Sequence, residues 1–442
     1  MSLTDHELTP RLRPLSARKS TILSVLDVGT TKAVCIVAQL HPAEDQDSLR
    51  GRTHLARVIG IGHQRSFGLK GGAVVDLEAA EAAIRQAIHA AERMAKVEIQ
   101  SIIVNMSGGR LASHQLDAEI GVRAGMVAAA DMHRVLDAAC ARDLRPGRAV
   151  LHALPTGFSL DGERDIAEPT GMVGERLGVG LHAVTGEAAA ARNLMLAVER
   201  CHLGVEAVVA TPYASALSVL TDDEAEMGCV VIDMGGGTTT AAVLSRGHLV
   251  HVDALAVGGH HVTMDVARGL TTRVSTAERL KAIHGGVVAG PSDERDMIAV
   301  PQVDDEDERE FSHQVPRAQL VRIIRPRVEE ILELVRDRLR NAGYAAQTGR
   351  RVVLTGGASQ LNGLPDLAQR LLGGQVRIGR PLGIKGLPDA AKGPAFAAAV
   401  GLLVYPQVAH IEHFETRGAG FLAGGSHDGY FSRVGRWIRE SF

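Results

Sequence analysis

Two stretches of this chain repeat one pattern: VLDVGTTKAVCIVA at 25–38 and VIDMGGGTTTAAVL at 231–244. In each, an apolar run ends in an aspartate, Asp27 or Asp233. One residue follows, then a turn of glycine and threonine and a second β-rich run. An apolar strand, a tight polar turn and a return strand together read as a β-hairpin. An internal repeat constrains a fold more than local propensity does, because each copy claims its own place in the architecture. Two such copies with helical patterns between them imply two related α/β lobes facing each other.

The rest of the chain arranges itself around the hairpins. Residues 1–20, polar and carrying Pro10 and Pro14, read as a disordered leader. Residues 21–97 hold the first hairpin, a further strand and LEAAEAAIRQAIHAAERMAKV, whose apolar spacing of three and four predicts a helix. Residues 98–182, β-rich on both sides of AADMHRVLDAACARDL, read as an inserted α+β subdomain. Residues 183–214 return to the first lobe and lead into a linking helix. Residues 215–265 form the second lobe, and 266–344 a smaller subdomain of it. That subdomain includes a short strand, Met297 to Val303, and a long amphipathic helix with Pro326 as a potential kink. Residues 345–394 return to the second lobe, 395–412 form a closing helix of small residues, and 413–429 a glycine-rich flexible linker. The acidic run 304–310 reads as a solvated loop.

A glycine–threonine turn exposes consecutive backbone N–H groups and hydroxyls with no bulky side chain in the way, which suits phosphate oxygens. A carboxylate beside it would repel phosphate unless a hard cation lay between, so Asp27 and Asp233 imply Mg²⁺. LTGGAS (354–359) is a third glycine turn at a strand end: a tight strand-to-helix turn, or part of a ligand crevice outside the strand ends. Glu278 and Lys281, three apart on a helical pattern, share a face as a surface ion pair or as ligand contacts.

Composition excludes other classes. A net charge of −3 and 3% aromatic residues give neither a polyanion-binding surface nor platforms for stacking bases, so nucleic acid is not an expected partner. The four cysteines form no C-x-x-C pair and suggest neither zinc nor a disulfide framework. No apolar h-region follows the leader, so it is not a signal peptide. No stretch approaches the roughly 18 apolar residues of a spanning helix, so the chain is not expected to cross a membrane.

The order LDVGTTK, TPYASALSVL, VIDMGGGTTT, AERLK, VVLTGGAS resembles the five-part motif set of the actin superfamily of ATPases. Within that superfamily, VIGIGHQRSFGLKGGAVVDLE, LPTGFSLDGERDIAEPTGMVGERL, LAVGGHHVTMDVARGL and GPAFAAAVGLLVY are similar to segments of the FtsA family of bacterial cell-division proteins. The resemblance covers residues 21 to 406 and the last fourteen. It implies an α/β, actin-like two-lobed ATPase fold of duplicated ribonuclease H-like lobes with an inserted α+β subdomain. It implies ATP and Mg²⁺ as cofactors. Gly29, Thr30, Thr31 and Lys32 would face the phosphates from one lobe, and Gly235, Gly236, Gly237 and Thr238 from the other. Asp27 and Asp233 would hold the metal, Glu278 and Lys281 flank ribose and base, and Gly356, Gly357 and Ala358 close over the adenosine. It further implies filament formation, contact of the 266–344 subdomain with the tubulin-like ring protein FtsZ, contact of the inserted subdomain with later division proteins, and a place on the cytoplasmic face of the inner membrane at the division site. Two positions depart from the pattern. Thr211 stands where relatives often carry an amide or acid that orients water; a hydroxyl is a poor general base, so hydrolysis is expected to be weak at most. Met264 stands where the family often has Asn.

The chain ends in GYFSRVGRWIRESF. At about 100° per residue, Tyr430, Phe431, Val434, Trp437, Ile438 and Phe442 fall within an arc of roughly 140°, with Arg433, Arg436 and Arg439 opposite. Residues 430–442 therefore read as an interfacial helix for an anionic lipid surface, or else as a terminal helix docked on the protein's own core, against which the glycine linker and the arginines argue. The alternatives are another actin-like cytoskeletal or pilus-assembly ATPase, or a sugar kinase of the same fold. The kinase would need a carboxylate base beside the γ-phosphate and leaves the amphipathic tail without a role.

Overall fold

The computed structural model describes residues 8, 10–43, 49, 51–141, 146–301 and 312–414. The acidic run 304–310, the linker from 415 and the expected interfacial helix 430–442 lie outside the described residues.

The chain opens with the hairpin β1 (Thr21–Val28) and β2 (Lys32–Pro42), then β3 (His54–Arg65), the short pair β4 (Leu69–Lys70) and β5 (Ala73–Val74), helix α1 (Leu77–Ala95) and β6 (Ser101–Met106). An inserted block follows: β7 (Ala112–Gly121), α2 (Ala129–Cys140), β8 (Arg148–Leu160), β9 (Glu163–Ile166) and β10 (Arg176–Glu187). Then come α3 (Ala188–Glu199), β11 (Gly204–Ala210), α4 (Thr211–Val219) and α5 (Asp222–Met227). The second hairpin is β12 (Cys229–Met234) with β13 (Thr239–Ser245), followed by β14 (His248–Leu255), α6 (Gly259–Gly269), α7 (Val274–His284), β15 (Met297–Pro301) and β16 (Ser312–Pro316). The chain closes with α8 (Arg317–Asn341), α9 (Ala345–Thr348), β17 (Arg351–Thr355), α10 (Leu364–Leu372), β18 (Gln375–Ile378), β19 (Ile384–Lys385) and α11 (Ala397–Val408).

The sequence duplication is a structural one. The first lobe is built on a six-stranded sheet, β11-β6-β1-β2-β3-β19, and the second on a five-stranded sheet, β14-β13-β12-β17-β18. Each sheet is centred on a hairpin with a parallel strand at its side. Leu26 of β1 lies opposite Val104 of β6, as Ile232 of β12 lies opposite Leu354 of β17. These central strands are buried on both faces, which is why they read as continuous apolar runs rather than alternating ones. The β3 strand presents Gly62 to α1: a Cβ there would fall 1.8 Å from the Ala87 carbonyl oxygen, so only glycine lets the helix lie this close. In α8 the buried residues Leu320, Ile324, Val328, Ile331, Val335 and Leu339 recur at three- and four-residue spacing, and the helix runs continuously through Pro326.

Several boundaries differ from the sequence reading. The inserted sheet, β7-β10-β8-β9, begins at Ala112 rather than near 98, because β6 pairs with β1 and β11 in the first lobe. It ends at Glu187 rather than 182. The stretch 345–394 is not wholly in the second lobe: β19 pairs in parallel with β3. The leader is ordered where described. Leu8 is buried, Leu12 and Leu15 pack on the first-lobe core, and the Arg11 N–H donates to the Glu206 carbonyl at 2.7 Å. Leu8, Leu12 and Leu15 supply the apolar burial that its prolines and charges disguised. One stretch, Pro394–Ile411, is long and apolar enough to cross a membrane, with a mean hydropathy of 1.4, contrary to the expectation that none would be. It is the closing helix of the fold: Ala397 through Tyr405 are buried in the first-lobe core. A Cβ on its Gly401 would lie 1.7 Å from the Ala214 carbonyl oxygen, so it packs directly on α4.

Candidate functional site

The two hairpin turns have matching geometry. Gly29 N–H donates to the Lys32 carbonyl at 2.9 Å, and Gly235 N–H donates to the Thr238 carbonyl at 2.9 Å. The turns meet across the lobes. A Cβ on Gly236 would lie 2.5 Å from Thr31 Cγ2, and one on Gly237 would lie 2.2 Å from Thr30 Oγ1. Glycine in the second turn thus makes room for threonine in the first. Thr30 Oγ1 accepts from the Gly72 N–H at 3.2 Å, which fixes its rotamer.

Asp27 and Asp233 occupy the same place, one residue before the end of the hairpin's first strand, and both are buried. Burial raises the pKa of each. Asp233, further raised by the charge of Asp27, reaches about 6. Asn105 Nδ2 donates to Asp27 Oδ1 at 2.6 Å, and the Ser215 hydroxyl donates to Asp233 Oδ2. Two buried carboxylates from opposite lobes, close enough for the charge of Asp27 to raise the pKa of Asp233, form an oxygen donor set suited to a hard divalent cation. Lys32 supplies a nearby positive charge, with its pKa lowered by burial and raised in part by Asp27 and Asp233. Its ammonium donates to the Ala395 carbonyl and stands 4.0 Å from the Phe396 ring centroid. The lysine thereby ties the first turn to the 3-10 turn Pro394–Phe396.

The second turn is seated on α6. Gly259 and His260 N–H groups donate to the Gly235 and Gly236 carbonyls at 2.9 and 2.7 Å. Lys281 Nζ, from α7, donates to the Gly259 carbonyl at 3.0 Å, to Thr263 Oγ1 at 2.8 Å and to Glu278 Oε2 at 2.7 Å. Burial alone would raise the Glu278 pKa, but the Lys281 charge and the hydrogen bonds from Lys281 and Thr263 hold it below the usual range. Lys281 is therefore the anchor of a small network as well as the ion-pair partner of the half-exposed Glu278. The third turn closes the group. Gly356, at φ 84°, lies where a Cβ would stand 2.3 Å from Asp233 Oδ1. A Cβ on Gly259 would stand 2.9 Å from the Ala358 Cβ, and Gly357 borders Ala395.

Residues from both lobes thus converge: 29–32 and Asp27 from the first, 235–238, Asp233, 356–358, Glu278 and Lys281 from the second. Sequence reasoning missed Asn105, Ser215, Thr263 and Gly259. Asn105 carried a signal, a lone polar residue near the end of the apolar strand SIIVNM, of the kind that marked Asp27 and Asp233. Ser215 carried none, since a serine inside a helix is unremarkable until the fold buries it.

Comparison with known proteins agrees with this architecture. Residues 230–401 match the family model described as cell division protein FtsA, and residues 108–185 match the SHS2 domain inserted in FtsA. The cell division protein FtsA of Agrobacterium fabrum is 54% identical over 439 residues, covering 99% of each chain. Among solved structures, the PilM-PilN type IV pilus biogenesis complex aligns with a TM-score of 0.58 at 16% identity, over 87% of this chain and 98% of that one. MreB5 of Spiroplasma citri bound to ADP aligns with a TM-score of 0.51 at 14% identity, over 88% of this chain and 97% of that one. At such identities these likenesses show the fold alone, the actin-like two-lobed one. Identity of 54% along the whole length, with the inserted domain in place, establishes more: the chain belongs to the FtsA family of cell division proteins.

Proposed function

We propose that this chain binds ATP with Mg²⁺ between its lobes, assembles into filaments, and tethers an FtsZ ring to the cytoplasmic face of the inner membrane at the division site. The observation that carries the nucleotide reading is the meeting of two equivalent turns, each with a buried aspartate, from opposite lobes. Gly29–Lys32 and Gly235–Thr238 would hold the phosphates, Asp27 and Asp233 the metal, Glu278 and Lys281 the ribose and base, and Gly356–Ala358 the adenosine. Bound Mg²⁺ would neutralise charge between the two carboxylates and the phosphates. Thr211 Oγ1 accepts from Asn105 Nδ2 at 3.0 Å. Its position, and the weakness of a hydroxyl as a base, support binding with little hydrolysis.

Holding both lobes on one ligand favours a single closed shape, and a closed shape that repeats head to tail makes a filament through a heterologous interface. The subdomain 266–344 would contact FtsZ, and the inserted subdomain later division proteins. Phe431, Val434, Trp437 and Ile438 would enter the lipid, while Arg433 and Arg436 face anionic headgroups at about 1 kcal/mol each. One such tail binds reversibly; a filament binds far more tightly because each further tail inserts at high effective concentration. The test is cosedimentation with anionic liposomes of the full chain and of a truncation after Gly425, with and without ATP, alongside electron microscopy for filaments. Lipid binding by the full chain alone, strengthened by ATP, is expected. Equal recovery of both forms would overturn the role of the tail, and absence of both nucleotide binding and filaments would overturn the whole reading.

A further inference from the structure

Asn105 lies in β6, the strand parallel to β1, so it occupies in the first lobe the place that Thr355 of β17 occupies in the second. The two behave differently. Thr355 donates towards the Gly379 and Pro394 carbonyls, whereas Asn105 turns to the aspartate beside it. Its side chain is 1% exposed and makes three hydrogen bonds. Oδ1 accepts from the Val28 N–H at 2.7 Å, and Nδ2 donates to Asp27 Oδ1 at 2.6 Å and to Thr211 Oγ1 at 3.0 Å. A backbone N–H can only donate, so the amide orientation is set by Val28, and both amide protons face the carboxylate and the hydroxyl.

Thr211 opens α4, and Ser215 lies four residues on, so the two share one face of that helix. Ser215 is the residue that donates to Asp233. One helix therefore reaches both carboxylates: Asp233 directly, and Asp27 through Asn105.

We infer that Asn105 is the positioning residue for the metal edge of this site, fixing the Asp27 carboxylate and tying it to the helix that holds Asp233. The inference rests on the nucleotide and metal reading above. Asp27 makes its one side-chain hydrogen bond among the described residues through Oδ1, which leaves Oδ2 for the cleft. Without Asn105 the carboxylate loses its rotamer lock, and Thr211 loses the donor that holds its oxygen. Partners of this kind, one bond removed from a metal ligand, typically change metal affinity 10- to 100-fold when mutated.

The experiment measures equilibrium binding of a fluorescent ATP analogue to the full chain, in EDTA and across a Mg²⁺ titration. For Asn105→Ala the Mg²⁺ concentration at half-maximal binding is expected to rise about tenfold, with metal-free affinity held within about twofold. In an Asp27→Asn background the same change should have no further effect, because the ligand it positions is gone. Asn105→Ser, which can still serve one partner, should shift the midpoint by less and serves in place of the alanine variant if that one does not fold. A wild type that binds no analogue with or without Mg²⁺ overturns the nucleotide reading and this inference together. A wild type that binds, paired with an unmoved midpoint in the variants, overturns the inference alone. Equal losses with and without metal, or a full effect in the Asp27→Asn background, also overturn it.

Discussion

Replacing Gly237 with alanine tests whether contact between the two turns is what closes the site. The backbone at Gly237 is not in the left-handed region, so alanine carries no conformational strain there. The whole effect comes from contact. The new Cβ would lie 2.2 Å from Thr30 Oγ1 and 2.7 Å from Thr30 Cβ. An ordinary contact needs about 3.5 Å or more, so the turns must separate by roughly 1 Å. Thr30 cannot simply rotate away, because its hydroxyl oxygen accepts from Gly72 N–H and the clash includes its Cβ. Overpacking of this size costs about 2 kcal/mol, which is roughly thirtyfold in the population of closed lobes. The assay is affinity for a fluorescent ATP analogue at saturating Mg²⁺, with thermal unfolding alongside. Gly121→Ala is the control, since no atom lies within 4 Å of a Cβ there. The double variant Gly237→Ala with Thr30→Gly should recover much of the lost thermal stability, the readout that is independent of the place of Thr30 among the phosphate-facing residues. Wild-type affinity in Gly237→Ala, or a loss of thermal stability that Thr30→Gly does not relieve, would refute the claim that these turns bear on each other.

Three further outcomes are expected. His182 is buried between the inserted sheet and β14, its Nδ1–H donating to the Leu249 carbonyl at 2.8 Å, and burial lowers its pKa to about 3. A depressed histidine contributes stability that is present above about pH 6.5 and is lost as pH falls towards 3, on the order of 2 kcal/mol by pH 5. Denaturant titrations across that range should show the slope, and His182→Asn should flatten it; an unchanged slope would exclude His182 as its source. Glu412 accepts from His152 Nδ1 at 2.9 Å, while His152 Nε2 accepts from the Ala210 N–H at 2.9 Å, all in a buried seam. Glu412→Ala strands that imidazole N–H and is expected to cost about 2 kcal/mol in chemical unfolding; a loss below about 0.5 kcal/mol would mean the seam relaxes around it. Trp437→Glu should abolish liposome recruitment with ATP-analogue affinity unchanged, and retained recruitment would count against the tail as anchor.

How much of the site was legible in the chain differs residue by residue. Asp27, Asp233 and the two turns announce themselves, because a carboxylate closing an apolar strand before glycine is costly unless it has a use. The long helix α8 and the helix α1 follow from periodicity alone. The leader misled in the other direction. Its prolines and arginines suggest disorder, yet Leu8, Leu12 and Leu15 meet the first-lobe core, and a segment that short shows no periodicity to read. The closing segment 394–411 is another case: its apolar content is that of a spanning helix, and only packing against α4 and the first-lobe sheet shows that protein covers it.

The duplication, and with it two lobes, two hairpins and the aspartates at their strand ends, can be read straight from the chain. Each copy is a local pattern, written within one short stretch, 25–38 or 231–244. Which residues from distant segments complete each half follows from the fold alone. Asn105 comes to Asp27 across 78 positions, Ser215 to Asp233 across 18, and Ala395 to Lys32 across 363. The reason is physical. A strand's side-chain period states which residues face inward, but the identity of the neighbour they meet is set by sheet register and helix packing, which no short stretch of chain encodes.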